Sequence, residues 1–141
     1  MLRITLITLL SLLLFSPFAL GWSGESSGTA EVAENTAEIK FDKYEHDFGT
    51  FPASSPVQTC EFTYTNVGTG PLIIHQAVAS CGCTVPEYTK SPISPGETGV
   101  IKVTYNGKGK FAGTFKKSIT VRCNAKTEIV RLFVKGTMEE K

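Results

Sequence analysis

The chain has 141 residues and a mass of 15.3 kDa, the size of one domain rather than two. Its 14 Lys and Arg are offset by 13 Asp and Glu, which excludes a uniformly basic nucleic-acid binder and a charge-driven disordered chain. Nine Phe supply apolar bulk for a core, and 13 Gly with seven Pro, scattered without period, fit a turn-rich β fold.

Met1-Leu2-Arg3 is a short positive start, residues 4–20 are mostly apolar, and Ala19-Leu20-Gly21 offers small residues to a signal peptidase. This is the three-part layout of a secretory signal peptide over residues 1–21. The alternative is an uncleaved anchor, but the stretch carries Thr5, Thr8, Ser11, Ser16 and Pro17 and is short for a span. The first cysteine is Cys60, so no lipid-anchor cysteine stands at the cleavage point. The expectation is a secreted or periplasmic protein with no transmembrane segment after cleavage. Residues 22–38, rich in Gly, Ser and Ala and holding Glu25, Glu31, Glu34 and Glu38, read as a flexible acidic linker that cannot offset its ordering entropy.

From there short segments alternate between turn signals. Strands are predicted at residues 38–42, 44–51 (interrupted at Gly49), 57–66, 71–79, 98–105, 114–124 and 128–136. Cys60, Phe62 and Tyr64 share one face, as do Ile101, Val103 and Tyr105, and as do Ile119, Val121 and Cys123. In the last strand both Ile129, Arg131, Phe133 and Val130, Leu132, Val134 are possible inner sets. Residues 80–97 hold Pro86, Pro92 and Pro95 and are expected to be mostly irregular. Period-2 alternation repeated this often predicts an all-β, immunoglobulin-like antiparallel β-sandwich of about seven strands over residues 39–137, with a tail at 138–141. A small barrel is the alternative fold.

The four cysteines carry the most chemistry. In an oxidising compartment all are disulfide candidates. Cys60 and Cys123 both point inward, from strands that face each other in a sandwich. A bridge there would stabilise by about 4 kcal/mol in the chain-entropy account; the alternative is two buried thiols acting as small hydrophobes. Cys81 and Cys83 flank Gly82, which permits the bend that brings their sulfurs together. A ring that small is strained and exchange-prone. Three roles follow for Ser80, Cys81, Gly82, Cys83 and Thr84: a structural lock, a redox-active pair, or two thiolates gripping a soft metal. The metal role lacks ligands, since His46 and His75 are the only histidines.

Weaker candidates remain. His46-Asp47 carries acid–base residue types, and Ser80, His75 and Asp47 carry those of a hydrolase triad, but no nucleophile elbow surrounds Ser80. Residues 100–141 hold 10 bases against 3 acids. Among them Lys108, Lys110, Lys116 and Lys117 outline a basic hairpin, either a protected sheet edge or a surface for anionic polymers or lipid head groups. No catalytic, cofactor or metal site is assigned.

Several runs occur in an order that resembles a known family. They are Tyr44-Glu45-His46-Asp47-Phe48-Gly49-Thr50, Phe62-Thr63-Tyr64-Thr65-Asn66-Val67-Gly68, Pro71-Leu72, Ala79-Ser80-Cys81-Gly82-Cys83-Thr84-Val85-Pro86, Ser94-Pro95-Gly96-Glu97 and Gly113-Thr114-Phe115 with Lys117. Together they resemble the uncharacterised bacterial secreted family called "domain of unknown function 1573" and, more distantly, the Hydin-type modules of cilia and centrosomes. The resemblance implies an immunoglobulin-like sandwich in an envelope or secreted protein, with no established activity. The expected function is thus a binding or structural module of the bacterial cell envelope, its partner a protein or an envelope polymer engaged by strand addition at a sheet edge. The rival is a redox or metal-handling protein built on Cys81 and Cys83.

Overall fold

A computed structural model describes residues 36–140. The expected signal peptide and most of the expected linker lie outside the described residues. The described residues form eight strands: β1 (Ile39–Phe41), β2 (Glu45–Pro52), β3 (Val57–Asn66), β4 (Ile74–Ala79), β5 (Thr84–Tyr88), β6 (Thr98–Asn106), β7 (Gly113–Cys123) and β8 (Ile129–Glu139). They make two four-stranded sheets, β1-β3-β6-β5 and β2-β8-β7-β4. The molecule is therefore a sandwich and not a closed barrel. Among the described residues no helix is long and apolar enough to cross a membrane.

The alternating sets pack as their period requires. Phe62, Tyr64, Ile101 and Val103 of the first sheet meet Ile119, Val121, Leu132 and Val134 of the second, all fully buried. The ambiguous last strand resolves with Leu132, Val134 and Met138 inward, leaving Arg131 and Ile129 exposed. Among the described residues Asn66 is the one fully buried side-chain amide. Its Nδ2 donates to the carbonyls of Gly70 and Ile93, and its Oδ1 accepts from the Gly68 amide. A buried polar group so paired fixes the turn after β3 without an unsatisfied cost.

Residues 80–97 are mostly irregular, as expected, but hold one short strand that the sequence reading missed: β5 pairs antiparallel with β6 from Thr84 to Tyr88. Pro86 is tolerated there because β5 is an edge strand, where a missing N–H breaks no central ladder. The expected strand at 71–79 begins only at Ile74 and shifts register between Ile74 and Gln76. The sandwich is not wholly antiparallel, since β2 runs parallel to β8: after Phe41 the chain leaves the first sheet and joins the second beside its last strand. Just outside the expected bounds of 39–137, Ala37 and Met138 are each 2% exposed and belong to the core.

Candidate functional site

The Cys-Gly-Cys segment sits where the chain enters β5. The Thr84 amide donates to the Cys81 carbonyl at 3.2 Å, closing a tight turn, and the Asn106 amide donates to the Cys83 carbonyl at 2.7 Å. These bonds tie the turn to the end of β6. Cys81 and Cys83 are joined by a disulfide, with Cα atoms 5.3 Å apart. Both residues are half-buried, while Thr84 is 3% exposed. The Thr84 hydroxyl lies 3.8 Å from each sulfur.

Next to it the β6–β7 turn projects outward. The Lys110 amide donates to the Gly107 carbonyl at 2.9 Å and the Lys108 amide to Asn106 Oδ1 at 2.9 Å. Gly109 and Gly113 adopt φ of 73° and 142°, left-handed backbone that glycine reaches without a Cβ penalty. This turn presents Phe111 98% exposed. Below it Tyr105 and Phe115 stack with centroids 3.9 Å apart and planes 6° from parallel, and Phe51 meets both edge-on. Cys83 packs against this cluster of Phe51, Tyr105 and Met138. Burial raises the Tyr105 hydroxyl above its ordinary pKa.

Together Cys81, Cys83, Tyr105, Lys110, Phe111, Phe115 and Lys117 line a cleft of about 280 Å³. Lys110 and Lys117 join no ion pair among the described residues. Lys116, the intervening side chain, points the other way: Glu45 binds it at 2.6 Å and Lys135 at 2.7 Å. Those two hydrogen bonds hold the Glu45 carboxyl down to about 2. The expected basic hairpin is thus divided between a paired cluster and an unpaired cleft wall.

The other candidates do not assemble into chemistry. Asp47 lies on β2 and His75 on the β4 edge, at opposite margins of one sheet. The Ser80 hydroxyl accepts from the Ser118 amide at 3.2 Å. Asp47 accepts from the Gly49 amide at 2.8 Å across the β2 bulge. His46 Nδ1 lies 3.0 Å from Lys43 Nζ, and burial, then Lys43, lowers its pKa. Among the described residues no three His, Cys, Asp or Glu gather as metal ligands.

Cys60 and Cys123 are both buried free thiols. Cys123 donates to the Thr127 carbonyl at 3.4 Å, and no disulfide joins it to Cys60. Burial pushes the Cys60 thiol up to about 11 and raises Cys123 as well.

Phe111 was not singled out by sequence reasoning. Its only signal is a large aromatic inside a Gly- and Lys-rich turn, where no strand period can carry it inward.

Among solved structures, a protein of unknown function from Porphyromonas gingivalis W83 is similar over 77% of this chain, with 19% identity and a TM-score of 0.64. This chain spans 50% of that protein's length. The ASH/PapD-like domain 7 of human CEP192 is similar over 76% of this chain and 89% of its own, at 12% identity and a TM-score of 0.58. The periplasmic chaperone SfaE matches 73% of this chain and 58% of its own, at 7% identity and a TM-score of 0.51. At these identities the likeness shows a PapD-like, immunoglobulin-like fold and no more. No curated protein matches. The model of the family "Protein of unknown function (DUF1573)" matches residues 39–138, most of the chain, and the chain belongs to that family.

Proposed function

We propose that this protein is an exported immunoglobulin-like binding module of the bacterial envelope, and that it engages a protein partner at the cleft beside Cys81 and Cys83. The observation that carries this is Phe111, 98% exposed beside the stacked Tyr105 and Phe115. A large aromatic in water is a contact waiting for a partner. Export is supported by the signal-like residues 1–21 and by the disulfide, a bond that persists in oxidising compartments. A match to a periplasmic chaperone accords with that location.

Strand addition at an edge is less favoured than the cleft. β1 has three residues, β2 carries a bulge and ends in Pro52, β4 shifts register, and β5 contains Pro86. Each of these devices discourages pairing with a foreign strand. Site-specific photocrosslinking tests the reading. A photoreactive phenylalanine analogue at Phe111, in cells making the full-length protein, should yield one discrete adduct identifiable by mass spectrometry. The same probe at Val78, exposed on the β4 edge, should not. No adduct at 111, or the same adducts from both positions, would refute it.

A further inference from the structure

From the cleft geometry we infer that the Cys81–Cys83 disulfide is an exchange site for a cysteine-containing peptide segment with apolar and acidic neighbours. The inference rests on the binding reading for where the peptide docks, and adds a covalent step. Three observations place the parts. Both cysteines line the cleft, but Cys83 packs against the aromatic cluster, so attack is assigned to Cys81. The buried Thr84 hydroxyl stands 3.8 Å from both sulfurs, within donating reach of whichever leaves as thiolate. Lys110 and Lys117 line the same cleft with no carboxylate paired to them among the described residues. Cations beside a thiolate favour it, and they attract acidic residues flanking an incoming thiol.

The step is a plain exchange. A peptide thiolate attacks Cys81 Sγ, forming a peptide–Cys81 disulfide, while the Cys81–Cys83 bond breaks and its electron pair leaves with Cys83 Sγ. The Thr84 hydroxyl donates to that new thiolate. Reversal, with Cys83 attacking Cys81 Sγ, releases the peptide thiolate unchanged, so the cycle needs no outside oxidant or reductant. A structural lock would require none of this: it would need neither an open sulfur nor unpaired lysines beside it. The buried Cys60 and Cys123 thiols, both raised in pKa, stay outside the reaction because a protonated, inaccessible thiol neither attacks nor is attacked.

The test measures mixed-disulfide formation by mass spectrometry on the oxidised protein. The thiols are the peptides Ac-Glu-Phe-Cys-Glu-amide and Ac-Lys-Phe-Cys-Lys-amide, with 2-mercaptoethanol alongside. Each rate is divided by that thiol's rate on 2-hydroxyethyl disulfide, which removes the thiol's own reactivity. The acidic peptide should exceed the basic one by about threefold or more, with the adduct on Cys81. Thr84→Val should slow all three thiols by about tenfold, and Thr84→Ser should restore the rate. Phe111→Ala should slow the two peptides and leave 2-mercaptoethanol unchanged. Normalised rates equal for all three thiols, an adduct on Cys83, or a Thr84→Val protein as fast as the parent would each overturn the inference. Binding of the serine analogue Ac-Glu-Phe-Ser-Glu-amide, followed by NMR shifts at Phe111 and Phe115, separates the two readings. If it binds while the cysteine peptide forms no adduct, the cleft is a docking site and the exchange is rejected. If it does not bind, docking at the cleft is rejected as well.

Discussion

Tyr64 and Gly99 face each other across the β3–β6 pair, and the phenol ring fills the space that a Cβ at position 99 would need. Gly99→Ala should therefore overpack the core and destabilise by about 1–3 kcal/mol, seen as a fall in melting temperature of several degrees. The Tyr64 hydroxyl is buried with no hydrogen-bond partner. Tyr64→Phe removes an unpaired polar atom and should melt at or above the parent temperature. A stabilised Gly99→Ala protein would contradict this packing.

Glu45 is held at about 2 by Lys116 and Lys135. A carboxyl lowered on folding adds stability that is complete above its unfolded value, 4.5, and is lost as pH falls through about 2. Melting temperature measured from pH 6 down to pH 2 should drop through this window, and Glu45→Gln should flatten the drop. A Glu45→Gln protein with the parent's acid profile would show that the cluster has no role in acid stability.

Cys60 and Cys123 are free and buried, so a thiol reagent should leave them untouched in native protein and modify both in denaturant. Replacing either with Ala should cost about 1 kcal/mol, the scale of a small buried group. Loss of several kcal/mol on reduction alone, with Cys81 and Cys83 both replaced, would reveal a bond between the core cysteines instead.

Phe111→Ala should leave melting within about 0.5 kcal/mol of the parent, since the ring touches almost nothing. The same variant should lose the photocrosslinked partner when the probe is moved to Lys110. Destabilisation would mean that Phe111 is part of the core packing rather than a contact surface.

Processing is checked by intact mass. The small residues at Ala19-Leu20-Gly21 predict an exported product beginning at or near Trp22. A membrane-embedded product retaining Met1 would reject cleavage.

The strands with strict alternation were legible. Val57–Asn66, Thr98–Asn106 and Gly113–Cys123 bury the residues their period selects, because each has one wet and one dry face. β5 was missed because three prolines over residues 80–97 look like a loop, and sequence does not say that Pro86 would fall on an edge. β8 is apolar on both faces, so only its neighbours decide: Phe133 lies under Lys116, with Nζ 4.7 Å from the ring centroid, while Leu132 and Val134 go inward. The Cys-Gly-Cys motif was visible, but its cleft was not. Tyr105 and Phe115 come from different strands, and their stacking exists only once β6 and β7 lie in opposed sheets.

The parallel pairing of β2 with β8 has a consequence for how the chain matures. Among the described residues β2 is an edge whose sole paired strand is β8. During synthesis or export from the N-terminus, β2 emerges early and stays without a neighbour until residues beyond 129 arrive. Pairings this distant in sequence slow folding, because a large loop must close before any contact rewards it. The second sheet is thus completed only after β8 has emerged. Deleting residues 129–141 should leave not a smaller sandwich but a chain in which β2 has no neighbour and β7 keeps only β4.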